Sequence, residues 1–410
     1  MTILLGCFSI SLFSQSTFPV NGVADERETT FAFKNATIVK DAQNTLTNAT
    51  MIVRNGKITA IGTAVTIPAD AIVVDCTVRA TDDETEIGEY NPSVRSIVAY
   101  NTDSKVINTL KTNGITHANI VPQGGTISGS SSVVQLDAWN WEDAAYAADN
   151  NIHMNMPALY NRPSRYGGFG GGQGPQVDPL KRGIEQLEEI KDFFRAAKAY
   201  NDQAVKTAAN IKFQAVEGLF SKKQKLFIRC NVVREILAAI DFKTEFGFDI
   251  VLVGATESHQ VGDILKRNNI PVILSQMHAL PTLADDGVDL PYQHPALLQK
   301  AGVQFAICDE DGQQRGKNLP FQAGTAAAYG LTKEEALTSI TLNAAKILGI
   351  ADRTGSIETG KDANIVISEG DILDMRSSNI SLVMIGGRMV SLTDKHKQLY
   401  ERYMVKYGLK

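Results

Sequence analysis

The feature that most constrains this chain is a series of short, almost uninterrupted apolar segments separated by amphipathic ones. Thr116–Val121, Leu226–Asn231, Asp249–Val253, Pro271–Ser275 and Val303–Cys308 read as strands. Gly183–Glu217 reads as a long helix, and Val232–Glu245, Val261–Asn268 and Pro295–Ala301 as shorter ones. Strands that are apolar on both faces must be covered on both faces, which points to a parallel sheet with helical crossovers. Their number favours an α/β barrel over a dinucleotide-binding sheet, and no GxGxxG joins a strand to a helix. The glycine-rich run 166–175 follows no clear strand and reads as a loop.

Both ends of the chain change character. Phe31–Val39, Met51–Arg54, Lys57–Gly62 and Ala71–Asp75 are strand candidates, and Asn55-Gly56 is a hairpin turn pair. Near the other end, Ile365–Ile367, Ile380–Ile385 and Arg388–Val390 repeat the pattern, with Gly386-Gly387 at a turn. Neither piece buries a core alone. The expectation is therefore one composite β-sandwich from residues 29–77 and 355–392, with the barrel spanning 90–350.

At 410 residues the chain has room for about two to three domains. Its hydrophobic content of 43% and charged content of 21% are those of an ordered globular protein. A formal net charge of -5 lacks the basic footprint of a nucleic-acid binder, so no nucleic-acid partner is expected. Cys7, Cys76, Cys230 and Cys308 are scattered and form no CxxC zinc motif. No GxSxG nucleophile elbow is present. Residues 1–16 contain an apolar run, Thr2–Phe13, too short to span a bilayer and similar to the core of a secretory signal. The expectation is export to the periplasm or outer surface with no transmembrane span, and Cys7 makes a lipoprotein one form of it.

Several stretches together resemble the amidohydrolase superfamily, and its imidazolonepropionase-like branch in particular. Asn35–Val39, Ile52–Gly62 and Val73–Asp75 look like the family's opening. Thr341–Ile350 followed by Gly355–Val366 is similar to its close. The resemblance covers roughly residues 30–392. It implies a TIM-like barrel with a terminal β-sandwich, and hydrolysis of a non-peptide C–N bond, of the cyclic amide type, by metal-activated water. It also implies Zn or another divalent cation held by imidazoles and carboxylates at strand ends.

The residues at those positions depart from the pattern. The family's His-x-His after its first strand is replaced by Cys76–Thr85, which contains no histidine, so the first barrel strand is expected to be missing. The strand-5 position reads Phe227-Ile228-Arg229, and the strand-6 position is Gly254. The strand-8 acid falls within Asp309-Glu310-Asp311. Asp309 and Glu310 are thus the candidate catalytic carboxylates, and His278 and His259 the weak metal-ligand candidates. Arg229 and Glu257 are candidates for substrate binding or for replacing the lost charge. A carboxylate that loses its cation is costly to bury, and a guanidinium at Arg229 is expected to turn toward one of the three acids.

Two accounts follow. In one, His278, His259 and an acid form a sparse metal site and the chain hydrolyses a small amide-type substrate. In the other, the cage is lost and the chain is an exported scaffold or binding protein, with a protein partner or a second copy. Trp139 and Trp141, flanking Asn140 near acids, suit a sugar site or simple packing. A barrel short of one strand would also expose two edges, which Val94–Tyr100 or a partner must cover.

Overall fold

The computed structural model describes residues 30–41, 44–54, 57–63, 71–75, 88–160, 178–206, 208–275, 277–281, 286–310 and 315–409. The signal-like segment 1–16, the Cys76–Thr85 stretch, the glycine-rich run and Asp311 lie outside them. The chain forms two compact units, residues 1–79 and 80–410.

The first unit carries β1 (Thr30–Asp41), β2 (Asn44–Arg54), β3 (Lys57–Gly62) and β4 (Ala71–Asp75) in the order β3-β2-β1-β4. β1, β2 and β3 pair antiparallel, with Arg54 opposite Lys57 at the hairpin. β4 joins β1 in parallel, Thr30 opposite Ala71, so the sheet is mixed.

The second unit is built on a seven-stranded sheet. Its strands are β5 (His117–Ile120), β6 (Ile127–Gln135), β7 (Ala145–Asn155), β8 (Lys225–Cys230), β9 (Ile250–Gly254), β10 (Val272–Ser275) and β11 (Phe305–Cys308). They stand in sequence order. β7 to β11 run parallel, whereas β5, β6 and β7 pair antiparallel. β5 and β11 are the outermost strands, so among the described residues the sheet is open.

The sheet buries both faces through strict alternation. Leu226, Ile228, Ile250, Leu252, Val272, Leu274, Phe305 and Ile307 join one core cluster. That cluster is completed by α3 (Pro179–Asn201), α6 (Val233–Phe246), α7 (Gly262–Arg267), α8 (Leu290–Ala301) and α9 (Leu319–Ala328). Phe227, Val251, Val253 and Ala306, the residues in between, form a second cluster with Ile347 of α11 (Leu342–Leu348). This double burial explains why these strands read as unbroken apolar runs. α6 ends at Gly247, whose φ of 73° suits the left-handed cap that glycine supplies.

The remaining helices are α1 (Lys105–Thr112), α2 (Trp141–Ala144), α4 (Ile211–Ala215), α5 (Glu217–Phe220), α10 (Lys333–Ile340) and α12 (Lys395–Lys406). The long helix expected over 183–217 stops at Asn201, and α4 and α5 are separate turns. Asn210 restarts the chain by accepting from the Lys212 and Phe213 N–H groups. A three-stranded antiparallel sheet, β12 (Ile365–Ser368), β13 (Ile380–Ile385) and β14 (Arg388–Met389), packs on β6 and α1 through Val383 and Ile385.

Residues 88–99 run beside the first half of β6, the half that β5 leaves uncovered. Tyr90 bridges Ile127 and Arg95 bridges Ser130, both in parallel. The segment is thus not a strand, and Ser96–Ala99 closes into a 3-10 turn. Gly129 allows this approach: its φ is 134°, and a Cβ there would collide with the Val94 carbonyl oxygen.

Candidate functional site

Strand register brings the site together. On β7 and β8, His153 stands opposite Phe227 and Asn155 opposite Arg229. On β9, Val251 and Val253 continue the same two rows. These rows lie on the face opposite the main helical core, and the upper one ends at the C-terminal edge of the parallel strands. A cavity of about 350 Å³ opens there, lined by Gln123, Ser128, His153, Asn155, Arg229 and Glu310 among others. This edge is where α/β sheets and barrels place their ligands.

The centre of the cavity is an ion pair. Arg229 Nη1 donates to both carboxylate oxygens of Glu310, each at 2.7 Å. One nitrogen thus straddles the carboxylate, in place of a two-nitrogen fork. Glu310 has 24% of its side chain exposed and Arg229 43%, so the pair is partly shielded from water.

His153 is the site residue that sequence reasoning missed. It is buried, and its ring packs on Phe227 at 4.9 Å. Burial, with the positive Arg229 beside it, pushes its imidazole down to about 3, so the ring is neutral at physiological pH. Nε2 has no hydrogen-bond partner among the described residues. The available signal was a histidine two residues from the end of a strand, Ile152-His153-Met154-Asn155, hidden because Ala145–Asn155 is too polar at its start to read as a barrel strand. Asn155 Nδ2 donates to the Gly125 carbonyl at 2.7 Å and to Ser128 Oγ at 3.3 Å, which fastens the Gln123–Ser128 loop to the cavity rim.

The other candidates are placed elsewhere or otherwise employed. Asp309 Oδ2 accepts from Gln322 Nε2 of α9 at 2.5 Å. Glu257 Oε2 accepts from the Val233 N–H at 2.7 Å and so caps the start of α6, where the helix dipole favours an anion. His278 Nε2 and Thr325 Oγ1 are hydrogen-bonded at 2.7 Å. His259 lies edge-on to His294, ring centres 5.2 Å apart, while His294 Nε2 bonds Ser258 Oγ at 2.9 Å. Trp139 is 89% exposed, whereas Trp141 packs into the β6–β13 cluster.

A divalent cation needs three or more imidazole, thiolate or carboxylate donors converging on one point. No such group occurs among the described residues: His259 and His278 do not gather with Asp309 or Glu310. Arg229 stands where a ligand is expected, and it cannot coordinate a cation. The donor set present does not fit a metal centre. Cys308, partly buried at the end of β11, has its thiol pushed up to about 12, chiefly by burial and then by Glu310 and Asp309, so it is a poor thiolate ligand. Among the described residues no helix is long and apolar enough to cross a membrane.

Comparison with known proteins gives a consistent picture. A model of the amidohydrolase family matches residues 292–390. An imidazolonepropionase of Thermoplasma volcanium is 49% identical over 86 residues, 20% of this chain and 21% of that protein. An imidazolonepropionase of Phocaeicola vulgatus is 33% identical over 134 residues, 31% of each. The chain thus spans about a fifth to a third of the length of these curated relatives. The crystal structure of an amidohydrolase from Thermotoga maritima superposes with a TM-score of 0.63 at 25% identity, covering 88% of this chain and 99% of that one.

Proposed function

The chain belongs to the amidohydrolase superfamily, among imidazolonepropionase-like relatives, and from that premise we propose that it binds a small polar molecule without hydrolysing it by metal-activated water. The observation that carries this reading is the Arg229–Glu310 pair in the cavity at the strand ends. The family's reaction needs a cation that acidifies water and polarises a carbonyl. Here a guanidinium already pairs with the one acid that lines the cavity among the described residues. A divalent ion placed on Glu310 would meet a positive charge within a few ångströms, in a partly shielded setting where such repulsion is strong.

The mechanism that remains is recognition. Arg229, held by Glu310, offers its remaining donors, and His153 adds a neutral imidazole. These groups orient a small amide- or acid-bearing molecule, while Met154 and Val253, which also line the cavity, keep part of its wall apolar. In this reading the open sheet is a TIM-like barrel reduced by a strand, and the leader-like start exports the protein. A subcellular fractionation that recovers the chain only from cytoplasm would reject the export component.

The reading is tested by hydrolysis. Purified protein is incubated with a cyclic amide such as an imidazolone or hydantoin, with and without added Zn. The expected rate equals the buffer control under both conditions. Turnover that disappears on adding a chelator would overturn the proposal.

A further inference from the structure

Several donors at the cavity are left unengaged among the described residues. Glu310 is occupied, because both its oxygens serve Arg229 Nη1. Asn155 has spent its amide hydrogens on Gly125 and Ser128. Ser128 accepts one of these and keeps its own O–H. Arg229 Nε and Nη2, which form a planar fork, have no partner among the described residues. His153, 8% exposed, is among the residues that line the cavity, and its buried Nε2 has no partner among the described residues. A buried polar atom left without a partner is costly, so such a group in a folded protein points to something that completes it.

Resting on the binding reading above, we propose that the cavity takes a small organic carboxylate, its two oxygens on the free edge of the Arg229 guanidinium and one of them also reached by His153 Nε2–H. The chemistry matches. A guanidinium fork pairs with two coplanar oxygens, and such charge-assisted bonds are the strong ones. The neutral imidazole donates without adding a second positive charge beside Arg229. Arg229 then lies between two carboxylates, Glu310 on Nη1 and the ligand on Nε and Nη2. Glu310 holds the guanidinium in place before the ligand arrives, so little side-chain freedom is lost on binding. A neutral amide fits this arrangement less well, since its NH₂ would face donors.

The test uses the full-length protein and two isosteric probes, benzoate and benzamide, followed by isothermal titration or ligand-observed NMR. Benzoate is expected to bind at least about tenfold more tightly than benzamide, as charge-assisted pairing implies. Arg229→Gln should abolish the preference, and Arg229→Lys should keep part of it, because a point charge remains without the fork. In uniformly ¹⁵N-labelled protein, benzoate should shift the His153 Nε2 resonance, and benzamide should shift it less. Equal binding of both probes, or undiminished benzoate binding by Arg229→Gln, would overturn the proposal. The wild-type comparison alone decides if the variants do not fold. Failure here with a metal-free, inactive protein would leave the binding reading standing. Benzoate binding that vanishes with chelator would instead sink that reading.

Discussion

At the scale of single residues, charge and burial decide what each side chain can do. Arg229 and Glu310 face each other because their strands end at the same edge, whereas Glu257 is consumed by the start of α6. Three histidines, His153 and His294 buried and His117 half-buried, carry a pH signature. Burial holds His153 and His294 down to about 3 and His117 to about 4, against an ordinary value near 6.5. Below about pH 6.5 the unfolded chain takes up protons on these rings while the folded chain does not. Stability is therefore full above that pH and falls as the pH drops toward the folded values. Each ring contributes a slope of up to about 1.4 kcal/mol per pH unit. Calorimetry between pH 7 and pH 5 should show a falling Tm, with a shallower fall in His153→Phe. An unchanged slope in that variant would mean that His153 already titrates normally in the folded state.

Elements follow from patterns that sequence reveals unevenly. The parallel strands β8 to β11 were legible because both faces are buried, which writes an apolar run into each. β6 was not, since Ile127–Gln135 carries Ser128, Ser130, Ser131 and Ser132, buried but polar. The break after α3 was hidden because Asp202–Asn210 keeps helix-compatible residues, and the stop depends on Asn210 and Asn201 side chains bonding backbone. Arg229 could be singled out from its strand-end position, but its partner among three consecutive acids could not, as only the turn after β11 decides which acid faces the cavity. The close pass of residues 88–95 along β6 makes a specific demand at Gly129. Gly129→Ala should cost about 1–3 kcal/mol, through a strained φ and the clash with Val94. A denaturation midpoint equal to wild type would show that this segment does not press on β6.

On the scale of the whole molecule, in the proposed reading the chain keeps the layered architecture of the amidohydrolase structure that it resembles and changes the chemistry at one edge of one sheet. Fold and activity are separable in this way because the core clusters lie below the strand ends, and the cavity residues contribute little to them. Among the described lining residues, Met154 and Val253 belong to both. In the proposed reading the polar rim pairs a guanidinium with an acid without altering the strands beneath it. The most direct test of this exchange is a count of metal. The protein is incubated with excess Zn at neutral pH, desalted and analysed for Zn, Fe and Mn per chain. The account predicts well under about one-tenth of an ion per chain, since no three-donor site forms among the described residues. One or more tightly held ions per chain would contradict it.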